Sequence, residues 1–184
     1  RPYHILAAAL VCCFLACQKE PEDTLTPTVC KLEFIYYYNN GAVEDTVGIE
    51  YNGDQVSKIN YPDYYIVPEF QEDLVTKRNY YLKGTTQIAR VDHFTYNSDN
   101  TLSKIEVFPA AGGQQSATPI YKYVFSWVGN QLAMFEFHMD TSGTGTVELS
   151  EEYFTYTGNN ISRTIYRELN GGYSDTTNFF YDSK

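Results

Sequence analysis

Ile49-Glu50-Tyr51-Asn52-Gly53-Asp54-Gln55-Val56-Ser57-Lys58-Ile59 decides the fold, because the same pattern returns twice more. It recurs at Phe125-Ser126-Trp127-Val128-Gly129-Asn130-Gln131-Leu132-Ala133-Met134-Phe135 and at Phe154-Thr155-Tyr156-Thr157-Gly158-Asn159-Asn160-Ile161-Ser162-Arg163-Thr164. In each copy an apolar residue, a spacer and an aromatic place two side chains on one face of a strand. Gly-Asn or Gly-Asp then supplies the positive backbone angles of a tight hairpin turn. The chain returns with apolar residues at alternate positions: Ile59 and Tyr61 after the first turn, Phe135 and Phe137 after the second. Lys58 and Asn60, or Met134 and Glu136, take the opposite face. Period-2 alternation with one apolar and one wet face belongs to antiparallel sheets.

Working outward, Phe94-Thr95-Tyr96 opens a copy with one extra residue before Leu102-Ser103-Lys104-Ile105. Ile105 and Val107 again share a face, opposite Lys104 and Glu106. Phe179-Phe180-Tyr181 reads as the first strand of another copy. Leu32 to Tyr38 leads into Asn39-Asn40-Gly41, a strong hairpin signal. Gln87–Tyr96, Pro119–Trp127, Thr146–Tyr156 and Tyr173–Tyr181 read as further strands, joined by turns such as Asn170-Gly171-Gly172. The expectation is an all-β antiparallel meander of ten or eleven strands, closed as a curled single sheet, an open barrel or a sandwich. One stretch departs from the pattern. Pro68 at a first helical position, acids at 69, 72 and 73, and Lys77-Arg78 later predict a short helix or an ordered insertion loop within residues 62–78.

The amino-terminal end has a different character. Ile5 to Ala16 is an unbroken apolar run of twelve residues. A membrane-spanning helix needs about 20 residues to cross roughly 30 Å of hydrocarbon, so this run fits the apolar region of an export signal. Arg1 and His4 give it a sparse positive flank, and the missing initiator Met reads as a trimmed start. From Cys17 to Val29 the chain is polar and rich in Pro and Thr, the composition of a flexible tether. The expected organisation is a signal at 1–16, a tether at 17–29 and a hairpin domain at 30–184.

Phe14-Leu15-Ala16-Cys17 resembles the lipobox of bacterial lipoproteins. That resemblance implies cleavage between Ala16 and Cys17, a diacylglycerol on the Cys17 sulfur, and a membrane partner reached through that anchor. Acidic residues just after the cysteine, Glu20, Glu22 and Asp23, resemble the surface-export signal of Bacteroidota lipoproteins. The location implied is the outer membrane, on its periplasmic or its outer face. The unit Tyr-x-Gly-Asn-x-Leu/Ile resembles small Bacteroidota lipoproteins of unknown function and, more distantly, the YD repeats of RHS-type proteins. This resemblance spans residues 30 to 184 and implies an antiparallel hairpin array with no catalytic residues.

Composition narrows the chemistry. Eighteen Tyr and eleven Phe provide ample apolar surface for a folded domain. A net charge of −10 opposes nucleic acid, whose binding rests on Lys and Arg neutralising phosphates. Of the four cysteines, Cys12, Cys13 and Cys17 belong to the signal or its end, which leaves Cys30 and no disulfide. Cys30 lacks an obvious His partner and reads as a small structural residue. His93 beside Asp92, and His138 two before Asp140, read as strand-borne structural histidines. Three histidines, one of them in the signal, fall short of a His-rich metal centre, so no metal and no cofactor are expected. Glu151 and Glu152 are adjacent on a strand and point to opposite faces, so they make no acid/base pair. Glu69, Glu72 and Asp73 read as solvated charge. Asn97-Ser98-Asp99-Asn100 reads as a turn, and Ala110-Ala111-Gly112-Gly113-Gln114-Gln115 as a connection without a P-loop ending.

The function expected is a non-enzymatic binding or structural lipoprotein of the cell envelope. Its ligand would be a glycan or a protein, met by aromatics such as Tyr37, Tyr65, Tyr81 and Trp127. The alternatives are a chaperone-like assembly lipoprotein with an apolar sheet face, and a hydrolase whose site is built from loops.

Overall fold

A computed structural model describes residues 31–39, 42–140 and 145–181. The expected signal at 1–16 and expected tether at 17–29, with Cys17, and Cys30 lie outside these described residues. Among the described residues, thirteen strands form one antiparallel sheet. They are β1 (Phe34–Asn39), β2 (Ala42–Asn52), β3 (Gln55–Asn60), β4 (Tyr64–Gln71), β5 (Leu74–Leu82), β6 (Ile88–Tyr96) and β7 (Leu102–Ala111). They continue as β8 (Gln114–Gln115), β9 (Tyr121–Val128), β10 (Gln131–Met139), β11 (Val147–Thr157), β12 (Asn160–Glu168) and β13 (Ser174–Asn178). The order in space is the order in sequence, with the two-residue β8 alone off the path, folded back on the end of β7. β1 and β13 are the two ends of the path, so the sheet is open and does not close into a barrel.

The all-β meander and the single sheet follow the sequence expectation. Residues 68–75 do not. Tyr64–Gln71 and Leu74–Leu82 pair in register from Tyr64↔Leu82 to Gln71↔Leu74, with Glu72-Asp73 as the turn. This hairpin and β8 raise the strand number above ten or eleven. The helix cues fail because Pro68 sits inside a strand where Ile66, Phe70 and Val75 serve sheet packing, and period 2 prevails over the capping pattern of Pro68, the acids and Lys77-Arg78. At the other end β13 stops at Asn178, so Phe179-Phe180-Tyr181 is not a strand, although the Phe179 amide still donates to the Ser162 carbonyl at 2.9 Å.

The repeated unit has a structural meaning at each position. Five hairpins, β2–β3, β4–β5, β6–β7, β9–β10 and β11–β12, turn at the same end of the sheet. Gly53, Gly129 and Gly158 open their two-residue loops with φ of 61°, 59° and 62°, as a turn with Gly in its first central position requires. In every one of the five, the returning strand carries one extra residue soon after the turn: Ser57, Thr76, Ser103, Ala133 and Ser162. A bulge of this kind leaves a backbone group unpaired and kinks the strand. Short hydroxyl side chains meet that need. Ser103 Oγ donates to the Thr95 carbonyl at 3.1 Å, Ser162 Oγ to the Thr155 carbonyl at 3.1 Å, and Thr76 Oγ1 to the Glu69 carbonyl at 3.3 Å.

Side chains of the same unit tie each hairpin to the next. Gln55 Nε2 donates to the Glu72 carbonyl at 2.8 Å, Tyr96 Oη to the Val75 carbonyl at 2.8 Å, Trp127 Nε1 to the Leu102 carbonyl at 2.7 Å, and Gln131 Nε2 to the Gly158 carbonyl at 2.7 Å. Each of the four junctions between the five hairpins therefore carries one such bond. Apart from β8, which meets β6 as well as β7, strands pack only on their neighbours in the sheet order, and no second layer of described residues lies across the sheet. Burial is consequently lateral. Among the described residues Val47, Ile66, Val91 and Val107 are the buried apolar ones.

Candidate functional site

Directly paired strand residues share a face, so the register sorts the side chains into two surfaces. One surface is aromatic. Tyr61 stacks on Tyr64 with ring centroids 4.4 Å apart, and Tyr64 lies 6.1 Å from Tyr80. Further along, Tyr121 and Tyr123 of β9 meet Phe137 of β10 at 5.8 and 5.3 Å, and Phe135 lies 5.8 Å from Tyr123 and 5.4 Å from Phe125. Offset and tilted arrangements at these separations are attractive and hold the rings in fixed orientations. Burial among these neighbours raises the hydroxyl pKa of Tyr61, Tyr64 and Tyr123 above the ordinary 10.0.

Between the two aromatic groups lies Asp92, wholly buried. Arg90 grips it through Nε to Oδ1 at 2.7 Å and Nη2 to Oδ2 at 3.1 Å, Arg78 Nη2 reaches Oδ2 at 2.9 Å, and Tyr80 Oη donates to Oδ2 at 2.8 Å. The guanidiniums are themselves laid on rings, Arg90 over Tyr80 at 4.5 Å and Arg78 over Phe94 at 4.7 Å. Burial pushes the Tyr80 hydroxyl far above its usual range; Arg78 pulls it down and the Asp92 charge pushes it further up. A carboxylate so fully engaged cannot serve as a nucleophile or base without breaking this network, so the cluster reads as a polar strut within the aromatic face.

The opposite surface is laced with charge. Glu50 meets Lys58 at 3.5 Å, and Asn60 donates to Glu50 at 2.7 Å. Glu69 Oε1 accepts from Asn79 at 2.6 Å and from Lys77 at 3.2 Å, and Asn79's hydrogen bond, helped by Lys77, holds the Glu69 carboxyl below its ordinary pKa. Lys104 pairs with Glu106 at 2.9 Å. At the β10–β11 pairing, His138 Nε2 lies 3.0 Å from Glu136 Oε2, and Glu148 stands directly across from His138. Burial, then the charges of Glu136 and Glu151, raises the Glu148 carboxyl pKa.

The residues singled out by sequence are dispersed. Asp92 and His93 face opposite surfaces; His93 bonds Gln115 at 2.9 Å and meets Phe108 edge-on at 5.1 Å. Glu151 and Glu152 likewise separate, Glu151 taking a 2.7 Å bond from Tyr153. Glu72 and Asp73 form the β4–β5 turn. Asp99 Oδ1 accepts from the Thr101 hydroxyl and amide at 2.6 and 3.0 Å, so it is spent on its own turn. Gly112-Gly113 turns the chain from β7 into β8. Tyr65 and Tyr81 stack at 4.9 Å on the charged surface, with Lys58 above Tyr65 at 4.8 Å. They do not share a face with Trp127, so the four aromatics proposed as anchors do not form one site. Sequence reasoning missed the Asp92 strut and Glu148. Arg90-x-Asp92 and Glu136-x-His138 were readable as same-face pairs, whereas Glu148 depends on a register that only the folded sheet supplies.

No protein-family profile and no curated protein matches the chain. Among solved structures, a porin-like protein from Bacteroides uniformis is similar over 72% of this chain and 74% of its own, at a TM-score of 0.42 and 12% identity. Similarity at that level carries neither fold nor function across.

Proposed function

We propose that the chain is a non-enzymatic lipoprotein of the cell envelope, held to the outer membrane by a lipid on Cys17, and that its aromatic sheet face receives a glycan or protein ligand. The anchor rests on the apolar run 5–16 and the Phe14-Leu15-Ala16-Cys17 match. One observation carries the binding role: Tyr61, Tyr64 and Tyr80, and Tyr121, Tyr123, Phe135 and Phe137, form two ring clusters on one face, flanking Asp92, over which no described element packs. Rigid rings that are apolar on their faces and wet at the hydroxyl suit sugar rings and protein anchors. At the centre of this face Asp92 is fully bonded and is not free for hydrolysis.

Two experiments test this reading. A glycan array and a pull-down from envelope extracts are expected to yield a ligand whose capture is lost on Tyr123→Ala; no ligand by either route sinks the binding role. Palmitate labelling in cells is expected to mark the wild type and not Cys17→Ser, and protease shaving of intact cells distinguishes the outer from the periplasmic face.

A further inference from the structure

We infer that Glu136, His138 and Glu148 form a binding site for a divalent transition-metal cation, with Zn²⁺ the best fit, on the sheet face opposite the aromatic one. Each offers one ligand atom, and these atoms all lie within 4.8 Å of one another. Around Zn²⁺, bonds of about 2.0 Å place tetrahedral ligands roughly 3.3 Å apart, so small side-chain rotations close the set. His138 is a buried residue, and its Nε2 already sits 3.0 Å from Glu136 Oε2.

A break in the sheet brings in the third ligand. On β11 the register shifts so that Phe137 pairs with Ser150 while His138 pairs with Glu148. Leu149 is the extra residue. In unbroken alternation Glu148 would fall on the aromatic face beside Ser150; the bulge turns it to the His138 side. Bulges commonly re-aim a side chain next to a functional site. Once there, Glu148 Oε1 is closed off from solvent and has no hydrogen-bond partner among the described residues. A buried carboxylate oxygen without a donor is costly, and a cation removes that cost.

Charge argues the same way. Glu151, on the same side of β11, gives the site a third carboxylate, and the Tyr153 hydroxyl fixes it at 2.7 Å. Lys122 lies directly across from His138 and Arg167 across from Glu151, yet neither forms an ion pair with the cluster. The cluster's one base is His138 itself, 3.0 Å from Glu136, and carboxylates converging on an imidazole are an arrangement a metal neutralises. The imidazole nitrogen selects the ion class. Ca²⁺ and Mg²⁺ take all-oxygen shells, whereas one nitrogen with carboxylate oxygens suits Zn²⁺ and its spectroscopic substitute Co²⁺.

The test uses the untagged chain stripped with chelator and titrated with ZnCl₂ alone by calorimetry, and with CoCl₂ by visible absorption. Saturable one-to-one Zn²⁺ binding and cobalt d–d bands are expected. Glu148→Gln and His138→Ala should each weaken binding at least about tenfold, while Glu152→Gln, on the opposite face, leaves it unchanged. Circular dichroism verifies folding, and the near-isosteric Glu148→Gln decides the matter if His138→Ala unfolds. Absence of saturable binding, or equal binding by folded Glu148→Gln and wild type, overturns the site. Neither result bears on the aromatic face, which is tested by its own ligand.

Discussion

Arg90 holds Asp92 from two residues away on the same strand, both oxygens of the carboxylate engaged, at 2.7 and 3.1 Å. Alternation makes this possible: residues i and i+2 share a face about 6.6 Å apart along the strand, within reach of a guanidinium. With Arg78 and Tyr80 added from β5, the carboxylate bridges the two strands at the centre of the aromatic face.

Asp92→Asn is expected to destabilise the sheet by about 2–3 kcal/mol, below the 3–5 usual for breaking a buried pair because both guanidiniums still reach water. Urea unfolding followed by circular dichroism measures it. A loss under about 0.5 kcal/mol would mean that the strut is ornamental.

Glu72 has φ of 56° in the turn position that Gly53, Gly129 and Gly158 occupy in sister hairpins. A side chain in that region costs about 1–2 kcal/mol, and glycine's extra freedom in the unfolded chain returns about 0.5–1 of it. Glu72→Gly should therefore stabilise by about 0.5–1 kcal/mol. The carbonyl that receives Gln55 is backbone and survives the change. A lower thermal midpoint in the variant would refute the argument.

Tyr96→Phe removes only the hydroxyl that reaches the Val75 carbonyl, and should cost about 1 kcal/mol. Tyr156 occupies the equivalent place in the last hairpin and makes no hydrogen bond of this kind to the preceding one, so Tyr156→Phe should stay within about 0.5 kcal/mol of wild type. Equal effects in denaturant titrations would show that the link is not what matters at this position.

Glu69 provides a pH signature. Its carboxyl is held below the ordinary 4.5, chiefly by the Asn79 amide, so folding favours the ionised form. Its contribution is present above pH 4.5 and is lost as pH falls through the lowered value. Glu69→Gln should cost under about 1 kcal/mol at pH 7, because the group is half exposed, and should blunt the decline of stability between about pH 5 and 3. Parallel decline of variant and wild type would assign the acid limb to other groups.

Much of this architecture was written locally. Gly53-Asp54 and Gly129-Asn130 announce their turns, and alternation at Ile105 and Val107 or Phe135 and Phe137 announces the apolar face. The β4–β5 turn was hidden because Glu72-Asp73 lacks glycine, and its acids mimic a helix start. The five bulges were hidden because an extra residue such as Ser57 or Ser103 looks like any other strand residue until its partners are known. The same blindness hid Glu148: its face is decided by a bulge, and its neighbour His138 lies on another strand.

Nearest-neighbour packing makes the sheet, in energetic terms, a one-dimensional array. Its free energy is a sum over hairpins plus a sum over junctions, and Gln55, Tyr96, Trp127 and Gln131 set the junction terms. Opening then proceeds by fraying from β1 and β13 inward, and hydrogen exchange should report a gradient that peaks near β6 and β7. Evolution can lengthen or shorten such a surface by whole hairpins without redesigning a core, since each addition asks only for one turn, one bulge and one linking side chain.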